Sequence, residues 1–534
     1  MNHTYITPER DFIEKHIGYR WYAIIMVYYL ALSVWFISYY RHETDADGIS
    51  YISLAQKYLN GDFANAVNGY WSPMISWFIA PFMSLGLEPI IAFRTVSILF
   101  GIMTLVGIDK LMTEVMISRF TRVVYLMALS PVVAWYAEND VGADLLGACV
   151  LLYYIHATLR DDYQNKKFAG ITCGILGALS YLAKNYNFYF FLLHFTCINA
   201  WYWKQAAGRF QKRTIIFNFV SAIAAFAVIS GVWIGFLSVK YDTLSVSTAG
   251  GYNLSLIRPD STDHPVLTYG LIPPPNNTAV SAWEDPSYIN VVHWNPFKTF
   301  TDFIFFLEHI TKNIYKYLSG FATNYIFDLT VAFLVVFPIF SKKTVNRKIS
   351  YIVLTILLYP IGYFALYYDG QRHVLINSIL LYVLSAYALN SLFLEYGRNI
   401  VLKASISAIL CVSLIALTIV RIKRDKSHLD VLNDIYHVST KIEKYYNMNG
   451  VNIASQDGHW NPTNDLAYFL KARYFGKVAE NVTDEQLLHD LIHYKITYYL
   501  VFGSLKNHID ILIPEREFET LIGNMTVYQV VQHH

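Results

Sequence analysis

The sequence is poor in charge. Only 15% of its 534 residues are Asp, Glu, Lys or Arg, where a soluble domain carries about 25%. Hydrophobic residues make up 55%, and mean hydropathy is +0.33. An ordinary soluble enzyme is excluded. Lys and Arg total 41 against 39 Asp and Glu, a net charge of +2. That balance excludes both a basic nucleic-acid binder and an acidic disordered chain. Cysteine is scarce: Cys149, Cys173, Cys197 and Cys411 all lie in apolar stretches without CxxC spacing. They read as packing residues, neither disulfides nor metal ligands. No Gly-rich phosphate loop, HExxH or GxSxG motif occurs, so cytosolic nucleotide chemistry has no seat. Internal repeats and low-complexity tracts are absent too, and without repeated halves a transporter is disfavoured.

What is present is a series of apolar runs. A membrane span takes about 20 mostly apolar residues. Trp21 to Tyr40, Thr214 to Val239, Ile349 to Tyr368 and Val374 to Leu394 qualify outright. Shorter runs, or runs with one polar residue, cover 89–110, 121–137, 142–159, 168–184, 187–203, 320–340 and 402–420. The expectation is a mainly α, polytopic helical bundle of about 11 spans. The first run is too long for a cleaved signal peptide and lacks a small-residue cleavage site.

Basic loops set the direction. Arg10, Lys15 and Arg20 precede the first run and place the N-terminus in the cytoplasm. Alternation puts Lys166/Lys167, Lys204/Arg209/Lys212/Arg213 and Lys342/Lys343/Arg347/Lys348 on that same side. Residues 41–88, 239–319 and 421–534 then fall outside. The basic run Arg421 to Lys426 conflicts with this assignment. From Arg421 onward there are 12 Lys/Arg and 14 Asp/Glu in 114 residues, a much denser charge than in the first 420. Residues 1–420 are therefore expected to form a membrane module, and 421–534 an extracytoplasmic α/β domain. Val451–Ser455 and Thr497–Phe502 read as its strands, Asn464–Lys471 and Asp484–Tyr494 as its helices. In the first outer loop, Gly48 to Asn60 has the spacing of a short helix lying on the membrane surface. The second holds Pro273–Pro275 and Trp283-Glu-Asp-Pro286, and long ordered loops are usually functional.

The acids gather at outer turns: Asp45 and Asp47 after the first run, and Glu138, Asp140 and Asp144 at the third-to-fourth turn. Carboxylates at that depth are paired or functional. One cluster can deprotonate a hydroxyl while the other positions a substrate or a metal. The plain alternative for Asp47 is a helix N-cap. Lys184 and Arg372 end up at outer turns as well, where each can hold a phosphate. Their plain alternatives are a snorkelling lysine and an ion pair between Arg372 and Asp369. His373 alone is weak evidence, since such histidines are mostly packed. Tyr70 and Trp71 can line a sugar or lipid site, with an interfacial aromatic belt as the default.

Asp47-Gly-Ile-Ser-Tyr-Ile-Ser-Leu-Ala55 followed by Gly61-Asp-Phe-Ala-Asn-Ala-Val-Asn-Gly-Tyr-Trp-Ser-Pro73 resembles the first outer loop of GT-C class membrane glycosyltransferases, of the family 39, protein mannosyltransferase-like and aminoarabinose transferase-like kind. Ser130-Pro131 through Asp144-Leu-Leu146, Gly177 to Lys184, and Arg372 before a long apolar run agree with it in order. The resemblance implies transfer of a sugar from a polyprenyl-phosphate-linked donor to a hydroxyl of a glycan, lipid or protein acceptor at the outer face, with inversion by direct displacement. Asp47 or Asp45 is implied as the base, Asp144 as the second-loop acid, and Lys184 and Arg372 as the groups that stabilise the departing phosphate. Ala46 separates Asp45 from Asp47, so the choice of base stays open. A divalent cation, held by Asp47 and Asp144, also stays open. The rival class is a multi-pass transporter or lipid flippase.

Overall fold

The computed structural model describes residues 8–261, 263–322, 347–396, 400–456, 458–507 and 509–531. The expected span at 320–340 from residue 323 on, and Lys342 and Lys343, lie outside the described residues. Helices α1 (Pro8–Tyr40), α2 (Ala46–Leu59), α3 (Phe63–Ala66), α4 (Met74–Ser84), α5 (Pro89–Glu114), α6 (Arg119–Asn139), α7 (Asp144–Leu159), α8 (Ala169–Ala183), α9 (Asn187–Gln205) and α10 (Arg209–Tyr241) build the first part of the bundle. Short helices α11 (Ala249–Leu256) and α12 (Pro265–Thr268) lie in the second loop, ahead of α13 (Phe300–Ala322). Helices α14 (Arg347–Leu358), α15 (Ile361–Phe364), α16 (Leu375–Tyr396) and α17 (Ile400–Ile442) complete it.

Among the described residues six helices are long and apolar enough to cross a bilayer, and three shorter apolar ones, α4, α7 and α8, accompany them. The protein is a multi-pass membrane protein with a mostly helical body. The expected run 349–368 is broken, because α14 ends at Leu358 just before Pro360, and proline cannot continue a helix without losing a hydrogen bond. Helix α8 packs tightly on α10. A Cβ on Gly170 or Gly174 would overlap the backbone of Asn218 or Ala222, so this pair is a small-residue contact of the kind that lets membrane helices approach closely.

Helix α17 runs through the expected boundary at 420 without a break. Its 43 residues give about 65 Å at 1.5 Å per residue, enough to cross the hydrocarbon and carry the chain well beyond it. The Arg421 guanidinium stacks over Trp135 at 4.7 Å, and Asp425 accepts from Tyr40 Oη (3.0 Å) and Trp135 Nε1 (3.1 Å).

Beyond α17 lies a five-stranded sheet: β1 (Asn452–Ser455), β2 (Arg473–Lys477), β3 (Tyr498–Phe502), β4 (Leu512–Phe518) and β5 (Met525–Val530), in the order β2-β1-β3-β5-β4. β1 pairs in parallel with β2 and β3, while β5 pairs antiparallel with β3 and β4. Helices α18 (Trp460–Phe469) and α19 (Asp484–His493) make the two crossovers, as parallel strands require. The edge of β2 is covered by the long loop 239–319: Ile272 N donates to Phe475 O, and Tyr474 N donates to Val280 O, both at 2.7 Å.

Helix α2 forms where expected, but it does not lie on a membrane surface. Residues Gly48 to Ala55 are buried all round, because α4, the 282–284 turn and α18 enclose it. The second loop and the C-terminal domain supply the cover that the isolated periodicity could not reveal.

Candidate functional site

Five chain segments meet at one end of the bundle: the α1–α2 turn, the α6–α7 turn, the end of α8, the 282–284 turn, and the turn before α16. Asp45 is the N-cap of α2, its carboxylate accepting from Gly48 N at 2.6 Å. Asp47, in the first turn, is released from capping. Its Oδ1 accepts from Trp283 Nε1 at 3.0 Å, and its Oδ2 lies 3.1 Å from Arg372 Nη2. Arg372 Nη1 is 3.9 Å from Asp45 Oδ2, so one guanidinium forks over both aspartates. The alternative pairing of Arg372 with Asp369 does not form; Asp369 stands nearby in the same cavity wall.

Lys184 caps the C-terminus of α8 and pairs directly with Asp144 at the start of α7. It is largely buried rather than snorkelling to a surface. Asp47, Lys184, Arg372, His373, Tyr70 and Trp71 all line one cavity of about 470 Å³. His373 stacks on Tyr363 with ring centroids 5.4 Å apart, and Tyr186 stacks on the same ring at 3.9 Å. Asn185 ties this wall to the first loop, donating to Tyr70 O at 2.8 Å.

Glu138 is not part of this assembly. It is fully buried on α6 and faces Arg94 at 3.8 Å. Arg94 in turn donates to Tyr40 O (3.1 Å) and Glu43 O (3.0 Å), holding the chain that leads into Asp45. Asp140 is the acid that accompanies Asp144. It is buried with Oδ2 unpartnered, and burial and the Asp144 charge push its carboxyl well above the usual range. Burial and the neighbouring Asp47 likewise push Asp45 up to about 7. Two carboxyls two residues apart thus differ in role: Asp45 caps α2, while Asp47 holds the arginine and the indole N–H.

The residues that sequence reasoning missed are those that set Asp47. Lys57 Nζ on α2 reaches Glu284 at 2.9 Å, and both side chains are 3% exposed. This buried pair clamps the 282–284 turn onto α2, which carries Trp283 to Asp47. Gly48 lies against Val141, whose side chain a Cβ would overlap; only glycine lets α2 touch the α6–α7 turn there.

Asp47 and Asp144 do not fit a resident divalent ion as they stand, because each is already paired with a cation. Among the described residues no group of three or more His, Cys, Asp or Glu is arranged to hold a metal.

No protein-family profile matches the chain, and no curated protein matches it either. Solved structures do. ArnT from Cupriavidus metallidurans in the apo state superposes with a TM-score of 0.56 at 10% identity, over 94% of this chain and 97% of that one. Its form bound to undecaprenyl phosphate gives 0.56 at 10% identity, over 94% and 98%. The chain has the GT-C fold. The oligosaccharyltransferase AglB from Archaeoglobus fulgidus, in complex with an inhibitory peptide and a dolichol-phosphate, superposes at 0.47 and 12% identity over 90% of this chain and 69% of that one. Against the GT-C fold, the cavity lies at the end of the bundle where the small domain docks. The basic residues Lys348, Lys166 and Lys167 lie at the other end, where Lys348 bridges Glu114 (2.6 Å) and Asp161 (2.9 Å).

Proposed function

We propose that the chain is a glycosyltransferase that moves a sugar from a polyprenyl-phosphate-linked donor to an acceptor hydroxyl, inverting by direct displacement. The observation that carries this reading is the shared hold of Arg372 on Asp47 and Asp45 in the wall of an aromatic cavity that also contains Lys184. Resemblance in fold to ArnT, solved with undecaprenyl phosphate, supports it.

The donor's phosphate takes its place beside Lys184 and Arg372, with its isoprenoid along Tyr186, Tyr189 and Leu366; Tyr189 is 61% exposed on the bundle's flank. An arriving phosphate competes with Asp47 for the guanidinium. Once Arg372 turns to the phosphate, Asp47 keeps only the Trp283 N–H and becomes a free base within the cavity. It takes the acceptor's hydroxyl proton as that oxygen attacks the anomeric carbon. The bond from that carbon to the phosphate oxygen breaks, its electron pair staying on the phosphate, where Lys184 and the reoriented Arg372 stabilise the charge. Attack opposite the leaving group inverts the centre.

The end that carries the basic loops is the cytoplasmic one by the positive-inside rule, which puts the N-terminus in the cytoplasm and the site and sheet domain outside. Asp47→Asn tests the reading. Transfer from polyprenyl-phosphate sugars falls about 10²- to 10⁴-fold while the folded protein still binds undecaprenyl phosphate. Undiminished transfer removes Asp47 from the base role.

A further inference from the structure

Asp47 borders two cavities. Besides the aromatic one, a chamber of about 310 Å³ lies on its other side, roofed by α18 of the sheet domain. Asp47, Arg372, Trp283, His264, Tyr367 and Asp369 belong to both walls. The chamber shares Leu267, Trp460 and Asn461 with a larger trough of about 660 Å³, which reaches His459, Lys477 and Glu480. The base thus stands between a cation-bearing aromatic pocket and a polar passage that leads away from the helices.

We propose that this passage is the acceptor route, that the acceptor is a neutral carbohydrate chain, and that Asn464 and Asp465 hold its hydroxyl beside Asp47. The proposal rests on the transferase reading above and adds the substrate class.

Three observations carry it. The first is an unmet hydrogen bond. Asn464 is 1% exposed, lines the chamber, and its Oδ1 has no protein partner, whereas most buried side-chain oxygens meet a donor from protein, ligand or water. Next to it, Asp465 accepts from Thr44 Oγ1 at 2.8 Å through Oδ1, which fixes the carboxyl and leaves Oδ2 to meet the acceptor. A hydroxyl suits both, since it donates to the amide oxygen and can either donate to or accept from the carboxyl.

The second is charge. Asp45, Asp47, Asp369 and Asp465 line the chamber, and Arg372 is the only Lys or Arg among its described lining residues. A phosphorylated, sulfated or carboxylated acceptor would have to enter a chamber whose acids share a single arginine already engaged by Asp47, an arrangement that like-charge repulsion disfavours.

The third concerns the alternatives. A polypeptide commonly docks by adding a strand to an open sheet edge. The nearest edge, β2, is already taken by residues 272 and 280 of the second loop. A lipid acceptor needs an apolar route from the bilayer, whereas the trough is walled by Asp263, His459, Asn461, Lys477 and Glu480. Trp460 lines both spaces and offers a flat apolar face between polar neighbours, the pairing that a sugar ring matches.

The experiment uses the full chain in lipid nanodiscs and saturation-transfer NMR. The probes are neutral trisaccharides built from hexoses, N-acetylhexosamines or pentoses, their sulfated counterparts, and a Ser/Thr-containing peptide. Asn461→Trp, at an exposed position, narrows the trough, and Asn464→Leu removes the inner acceptor. Thermal stabilisation by undecaprenyl phosphate reports the donor side and the fold. The expected result is binding of at least one neutral trisaccharide to the wild type, at least tenfold weaker in each variant, with lipid stabilisation unchanged. The proposal is overturned if no neutral trisaccharide binds, if the sulfated forms or the peptide bind more tightly, or if both variants bind as the wild type does. Loss of lipid stabilisation in the wild type would instead count against the donor reading beneath it.

Discussion

Trp283 Nε1 donates to Asp47 Oδ1 across 3.0 Å, although 236 residues separate them in the chain. The bond joins the two long loops, 41–88 and 239–319, at the atom on which the proposed chemistry turns. It also depends on a second contact, the buried Lys57–Glu284 pair one residue further along the same turn.

That pair gives the first prediction. Lys57→Met leaves Glu284 buried without its cation, which costs about 3–5 kcal/mol. Thermal unfolding of the variant should start at a clearly lower temperature. Lys57→Met combined with Glu284→Leu should recover a large part of the loss, because the desolvated charge is gone. Transfer should stay impaired in the double variant, since Trp283 is no longer held. Full recovery of both would show that the clamp has no hold on Asp47.

Arg372 binds by a fork, which lysine cannot reproduce. Arg372→Ala should weaken undecaprenyl phosphate binding about 10- to 100-fold, the loss expected for one charged hydrogen-bonded contact. Arg372→Lys should recover only part of it. Equilibrium binding of the lipid to the purified variants checks both, and equal affinities for Lys and Arg would contradict the fork.

Gly48→Ala places a methyl where the Val141 side chain stands. Overpacking of this kind costs about 1–3 kcal/mol. It should also separate α2 from the α6–α7 turn, so transfer should fall more than stability does. Comparison of kcat with the unfolding temperature measures this.

Asp465 carries a pH dependence. Burial lifts its carboxyl to about 8 from an unfolded value near 4. Between those pH values the folded protein binds more protons than the unfolded chain, so stability declines as pH rises through the window and levels off above it. Asp45, lifted to about 7, acts in the same sense. Asp465→Asn keeps a neutral side chain at every pH and should flatten the decline. Parallel curves for wild type and variant, by thermal unfolding from pH 5 to pH 9, would contradict the assignment.

The legible part of the site is the part that breaks a pattern. Asp45, Asp47, Asp144, Lys184 and Arg372 are charges at the ends of apolar runs, and burial in or beside lipid makes such charges stand out. The GT-C fold was expected from a resemblance, carried by Asp47–Ala55, Gly61–Pro73 and three later motifs in the same order. Trp283 and Glu284 were hidden for the opposite reason. They lie in a polar loop, where an acid and a tryptophan are unremarkable until α2 is seen to bury them. Glu138 misled because it stands two residues from Asp140 in sequence, while the last turn of α6 points it at Arg94 instead. The strands β2, β4 and β5 lacked a clear alternation, and β4 is exposed over most of its length. The surface position expected for α2 failed because its cover comes from residues more than 200 positions away.

The central claim is that Lys184 and Arg372 together receive the lipid phosphate next to Asp47. A structure of the full chain with undecaprenyl phosphate, solved in nanodiscs, tests it most directly. The account predicts phosphate density within hydrogen-bonding reach of both cations in the aromatic cavity, with the Arg372–Asp47 contact opened. A phosphate bound elsewhere on the bundle, with that contact intact, would contradict it.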